Sequence, residues 1–192
     1  MNSSEQPLAH GSQNAALVPR SALKSPSLWA LAVEGIHMKT RAELSSCRKY
    51  RYALWRAWDE GKDKVMFIGL NPSTADKVED DRTIKRCISY AKQWGYGGII
   101  MGNLFAYRTP SPDKMMQSKD PVGPENNTWL KRLSEQADIV VAMWGNSGGF
   151  LNRSREVTKM FPNLLCLRIT GAGQPHHTRG LPNGIKPIPY SC

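Results

Sequence analysis

The feature that most narrows the fold is a series of short, unbroken apolar runs separated by segments of helical period. "KVMFIGL" (64–70) has no polar interruption after its lysine. A run of that length without alternation suits a strand covered on both faces of a sheet. "GGIIMGNLFAY" (97–107), "DIVVAMWG" (138–145) and "NLLCLRI" (163–169) have the same character. Between the first two lies "DDRTIKRCISYAKQWGYGG", where Ile84, Cys87, Ile88 and Ala91 fall at helical spacing and Gly95 supplies a stop. "ENNTWLKRLSEQA" and "NRSREVTKMF" predict two further helices. Upstream, alternation at Tyr50, Tyr52 and Leu54 predicts one more strand, ending in a turn at "DEGKD". Strands and helices in strict alternation predict an α/β fold: a three-layer, open, mainly parallel sheet with helices on both faces.

At 192 residues the chain suits one compact domain and a tail. Residues 1–37, rich in Ser, Ala, Asn and Gln, predict a disordered tail with at most a short helix near "SLWALAVEGI". Residues 38–192 then form a single α/β domain, and Met38 is a second candidate for the natural start. The balance of 26 Lys+Arg against 16 Asp+Glu, a net charge of +10, favours an anionic partner, with nucleic acid the commonest for such a chain. A basic surface kept for solubility is the alternative reading. Cys47, Cys87, Cys166 and Cys192 form no C-x-x-C pair. That spacing argues against a zinc ribbon, an iron–sulfur cluster or a disulfide scaffold, so free thiols, no metal and no cofactor are expected. "LWALAV" is too short for a signal-peptide core or a membrane span. A cytoplasmic location without a membrane partner is expected.

In open α/β sheets ligands bind beyond the carboxyl ends of the strands. The predicted ends are Gly69-Leu70-Asn71-Pro72-Ser73, Asn103-Leu104-Phe105, Trp144-Gly145-Asn146, and Thr170 through His177. Each has an ordinary explanation as well. Asn71-Pro72 starts turns, Asn103 could bridge neighbouring strands, and Phe105 and Trp144 could be core. His176 and His177 could be a solvated loop, and adjacent histidines face different directions, so a shared metal is not expected. Asp80 and Asp81 fall where carboxylates complement a helix N-terminus. The chain has no G-x-x-x-x-G-K-[ST], no G-x-S-x-G, no H-E-x-x-H and no G-x-G-x-x-G at a strand-to-helix junction. P-loop NTP hydrolysis, serine hydrolysis and zinc hydrolysis therefore lose support.

"YRYALWRAW", "LNPSTAD", "DDRTIKRC", "WGYGG", "NLFAYR", "DPVGPEN" and "MWG", in that order, resemble the bacterial and phage family known as domain of unknown function 1643. The resemblance runs from about Tyr50 to Pro182. More distantly, G-x-N-P, a second strand-end Asn, "WG" and a late His are similar to the uracil-DNA glycosylase superfamily, which implies that superfamily's fold. Carried over, Asn71 would position the water that attacks the sugar, Asn103 would pair with the flipped base, and His177 would stabilise the departing base anion. Gly69, Leu70, Pro72, Ser73, Trp144 and His176 would complete the substrate site, with Phe105 stacking on the base. The sequence departs from that pattern where Thr178 and Arg179, not Pro-Ser-Pro, follow His177, which leaves His176 open as the occupant. The resemblance implies N-glycosidic hydrolysis at uracil or a modified base in nucleic acid, with DNA preferred. The alternatives are a non-catalytic modified-base or nucleotide-binding module, and an enzyme acting on free nucleosides or nucleotides.

Overall fold

A computed structural model describes residues 38–73 and 80–191. The expected tail over residues 1–37, with its short helix, lies outside the described residues, as does Cys192. Strands β1 (Lys39–Leu44), β2 (Arg51–Ala57) and β3 (Lys64–Gly69) come first, then helix α1 (Arg82–Gln93) and strand β4 (Gly98–Asn103). Helices α2 (Pro112–Met116) and α3 (Asn126–Ser134) precede strand β5 (Ile139–Ala142). Helix α4 (Arg153–Met160) and the two-residue strands β6 (Leu165–Cys166) and β7 (Ile188–Pro189) complete the order.

The strands form one seven-stranded sheet in the order β1-β2-β4-β3-β5-β6-β7. Its centre is parallel, with β3 paired to β4 and β5, and β5 to β6. Both margins are antiparallel, through β1 with β2, β2 with β4, and β6 with β7. The sheet is therefore mixed, not mainly parallel as expected. The β-α-β alternation governs only β3 to β6, whereas β1 and β2 are joined by too short a loop for a crossover and must run antiparallel.

Side-chain alternation assigns the two layers. Val65, Phe67, Ile99, Met101 and Val141 pack with Ile84, Cys87, Ile88 and Ala91 of α1. Met66, Ile68, Ile100 and Ala142 pack with Leu130 and Leu133 of α3 and Val157 of α4. The unbroken apolar run of β3 is thus buried from Val65 to Gly69 because helices cover both sides. Each such aliphatic side chain contributes about 1.5–3 kcal/mol relative to leaving it exposed. Asp81 starts α1 by accepting hydrogen bonds from the Thr83 and Ile84 amides, and Gly95, at φ 89°, ends the turn behind it.

Two features aim side chains at the carboxyl end of the sheet. First, β3 leaves towards α1 while β4 and β5 leave towards α3 and α4, so a crevice opens beyond β3. Second, the β1–β2 register steps from Glu43 opposite Ala53 to Leu44 opposite Arg51, leaving Tyr52 as an extra residue. Such a bulge changes the face on which side chains emerge. Tyr52 stacks on Trp129 of α3, whereas Arg51 joins Met101 and Ile84 at the crevice.

Candidate functional site

The crevice beyond β3 has a volume of about 550 Å³, within the range of ligand pockets. Its floor is the end of β3 and β4, one wall is the first turn of α1, and the other is the 177–179 segment. Hydrogen bonds from the Leu104 amide to the Gly69 carbonyl (2.9 Å) and from Phe105 to Leu70 (2.9 Å) extend the β3–β4 ladder to its rim. On the far layer, Asn126 donates to the carbonyls of Asn103 (3.1 Å) and Leu104 (2.9 Å), and Arg153 Nε also reaches Leu104 (2.9 Å). The exit of β4 is therefore pinned from below.

Asn71 is held in one orientation. Its Nδ2 donates to the Thr109 carbonyl at 2.7 Å and to the Pro72 carbonyl at 3.3 Å, while the Thr109 amide returns a bond to Pro72 at 3.0 Å. Both amide protons are consumed, which settles which end is oxygen. Oδ1 has no donor among the described residues and is the acceptor that Asn71 can offer to a ligand or water.

Asn103 is different. It is only 5% exposed, lines the crevice, and its side-chain amide has no hydrogen-bond partner among the described residues. Its amide is not among the side-chain groups sealed from solvent without a partner, so it opens onto the crevice, where a ligand or water can complement it. Gly69 makes this position possible: a Cβ there would lie 2.9 Å from Asn103 Oδ1.

His177 faces the same space with a defined tautomer. Its Nδ1 accepts the Arg179 backbone N–H at 3.0 Å, so the proton of the neutral ring sits on Nε2. Burial pushes its pKa below the ordinary value, the Arg179 guanidinium and His176 push the same way, and Asp81 opposes them. The ring is a neutral donor near pH 7. Asp81 is already engaged: Oδ1 takes the Thr83 and Ile84 amides at 2.9 Å each and Oδ2 takes Ser73 Oγ at 2.8 Å. The α1 N-terminus is thus occupied by its own capping carboxylate.

Of the residues expected at the site, Gly69, Leu70, Asn71, Ser73, Asn103, Trp144 and His177 line this crevice. Pro72 is buried behind it and contributes its carbonyl to the Asn71 clamp. Trp144, 2% exposed, is fixed by its Nε1 bond to Gln174 Oε1 (2.9 Å), so it forms a wall and not a mobile platform. His176 does not line the crevice; its Nδ1 lies 2.7 Å from the His177 carbonyl. Phe105 is fully buried against Phe150 in the core (centroids 5.7 Å apart) and is not part of the crevice. Sequence reasoning did not single out Arg51, Thr109, Arg82 or Arg179, all of which line it. Arg51, 4% exposed, lies in β2 beside aromatic residues, and Arg56 of the same strand is also buried, so the sequence does not distinguish which cation faces the crevice.

Among the described residues no group of three or more His, Cys, Asp or Glu side chains is placed to hold a metal ion, and no helix is long and apolar enough to cross a membrane. Fold and site together define an α/β protein with a mixed sheet and a polar crevice beyond its central parallel strands. Residues 51–178 match the family described as protein of unknown function, DUF1643, and the chain belongs to that family. No curated protein and no solved structure matches it.

Proposed function

We propose that the crevice binds a nucleobase within nucleic acid and hydrolyses its N-glycosidic bond. The observation that carries this reading is the Asn103 amide and Asn71 Oδ1, neither with a hydrogen-bond partner among the described residues, in one cavity with the Nε2–H of neutral His177. An amide offers one donor and one acceptor side by side, the pairing edge a base presents. Burial makes that readout discriminating, because a wrong edge leaves the amide unpaired. The resemblance to the uracil-DNA glycosylase superfamily supports the same three roles.

The chemistry follows from the groups available. As the C1′–N bond breaks, its electron pair moves onto the base and the sugar becomes oxocarbenium-like. The His177 Nε2–H would meet the negative charge developing on the base. Asn71 Oδ1 accepts a hydrogen bond from a water and aims its oxygen at C1′. An amide does not take up a proton, so the water's proton passes to solvent or to the departing base after the C1′–O bond forms. A preorganised donor of this kind is worth about 2.7–4 kcal/mol, roughly a hundred- to a thousandfold in rate. Taking the base out of a stack costs a few kcal/mol, which the enclosed crevice and amide readout must offset.

The test is incubation with DNA carrying uracil, hypoxanthine or modified pyrimidines, followed by detection of abasic sites. Release of at least one base supports hydrolysis. Retention of every base, with binding that depends on base identity, would favour the modified-base binding module instead. Release only from free nucleosides would favour a nucleoside hydrolase.

A further inference from the structure

A second cavity, of about 680 Å³, adjoins the crevice and shares Arg82, Thr83, His177 and Arg179 with it. We infer that this groove, running along α1, is the track for the phosphodiester backbone of the strand whose base enters the crevice. The inference rests on the nucleobase reading of the crevice and assigns the residues that would hold the rest of the substrate.

Charge carries the argument. Arg82, Lys85, Arg86 and Arg179 line the groove, and among the described residues no carboxylate does. Arg82, Lys85 and Arg179 are exposed, and none makes an ion pair or side-chain hydrogen bond with a described residue. Arg82 and Lys85, three residues apart on α1, project from one face of the helix. Exposed cations held together without counter-charges repel one another, and an anion relieves that repulsion. Asp81, the carboxylate among the described residues that line the adjoining crevice, is committed to the helix cap and to Ser73.

The opposite wall is built, not loose. Arg86 bonds to Asn183 Oδ1 (2.7 Å), to the Tyr90 hydroxyl (2.7 Å) and to the Leu181 carbonyl, and lies 4.9 Å over the Tyr90 ring. Tyr90 in turn donates to the Pro182 carbonyl at 2.9 Å. Residues 181–183 are thereby fastened to α1, and the groove keeps its width without a ligand. Thr178 lines the same groove with a buried hydroxyl that has no partner among the described residues. The cations lie on two chain segments along a cavity that continues past the crevice, the course a polymer strand would follow beyond its bound base.

The experiment compares the full chain with its Arg82→Gln/Lys85→Gln variant. The positions are exposed on a helix surface, and glutamine is a good helix former, so folding is preserved. Binding is measured for one nucleoside, its 5′-monophosphate and an oligonucleotide carrying the same base, across a series of salt concentrations. The wild type is expected to bind the oligonucleotide most tightly. In the variant the slope of log affinity against log salt should fall by about 0.7–0.9 for each cation removed, and the Lys85→Gln single variant, whose side chain lines the groove but not the crevice, should lower the slope with nucleoside binding unchanged. Arg179→Gln, on the other wall, should lower the slope again. An unchanged slope and affinity for the oligonucleotide overturns the groove, whether or not bases are released. Charge-dependent binding of the monophosphate with no gain for the oligonucleotide overturns the strand assignment. A lowered slope without any dependence on the base leaves the groove standing and sinks the nucleobase reading of the crevice.

Discussion

Gly69→Ala isolates the part of the crevice that reads the ligand. The added methyl would sit 2.9 Å from Asn103 Oδ1, closer than such contacts occur, while its next neighbour, Met143 Cε, lies at an ordinary 3.6 Å. Gly69 does not have a positive φ, so alanine carries no backbone strain there. In a strand it should even gain about 0.5–1 kcal/mol over glycine. Against this stands an overpacking cost of about 1–3 kcal/mol, lowered because the Asn103 tip can turn into the crevice. The net loss of stability should be about 0–2 kcal/mol, read as a small shift in denaturant midpoint. The effect on recognition is larger. Turning the amide breaks a paired donor and acceptor worth about 1–3 kcal/mol of base discrimination, which is about 5- to 140-fold in affinity or rate. Fluorescence titration with base-bearing oligonucleotides, run beside thermal unfolding, separates the two. In an Asn103→Ala background the same substitution should add almost nothing, since the contact is already gone. A folded Gly69→Ala protein with wild-type affinity and base preference would refute the role assigned to Asn103.

Three other perturbations follow from the same geometry. Asp81→Ala removes a cap worth about 0.5–2 kcal/mol and the Ser73 bond, worth about 0.5–1.5 kcal/mol; urea unfolding should show the combined loss, and an unchanged midpoint would contradict the capping account. Asn126→Leu leaves the Asn103 carbonyl without its side-chain donor, at a cost of about 1–3 kcal/mol, and should also weaken base preference by loosening the end of β4. His177 has a folded pKa below the ordinary value of 6.5, so the unfolded chain takes up its proton first. That contribution to stability is fully present above the ordinary value and is lost as pH falls through the lowered folded value. His177→Gln should remove that part of the acid-side decline in a pH series of denaturant midpoints.

Much of the layout was legible in the sequence because it depends on local signals. The continuous run of β3 announces a strand covered on both faces, and Asp81 followed by Ile84, Cys87 and Ile88 announces a capped, amphipathic helix. β1 was not legible: "KTRAEL" is charged and half solvated, the pattern of any surface segment, and only pairing with β2 makes it a strand. β7, two residues with a proline, is likewise visible only through β6. At the site, the strand-end rule reaches Asn103, which ends β4, Asn71, two residues beyond β3, and His177, in the long segment that follows β6. It fails for Phe105, since β4 ends at Asn103 and the period of two does not carry past it; Leu104 and Phe105 both turn into the α3–α4 layer. It fails for Arg51 because that side chain's direction depends on the bulge at Tyr52, a feature of the β1–β2 register. His176 and His177 are indistinguishable until the Arg179 amide selects His177 Nδ1 as its acceptor.

The central claim is a division of labour between two asparagines, Asn71 aiming water and Asn103 reading the base. Single-turnover base release by Asn71→Ala, measured with ligand affinity on the same protein, tests it most directly. The account predicts a rate lowered by about a hundred- to a thousandfold with affinity within a few-fold of wild type. A rate that stays near wild type, or a loss confined to affinity, would contradict it.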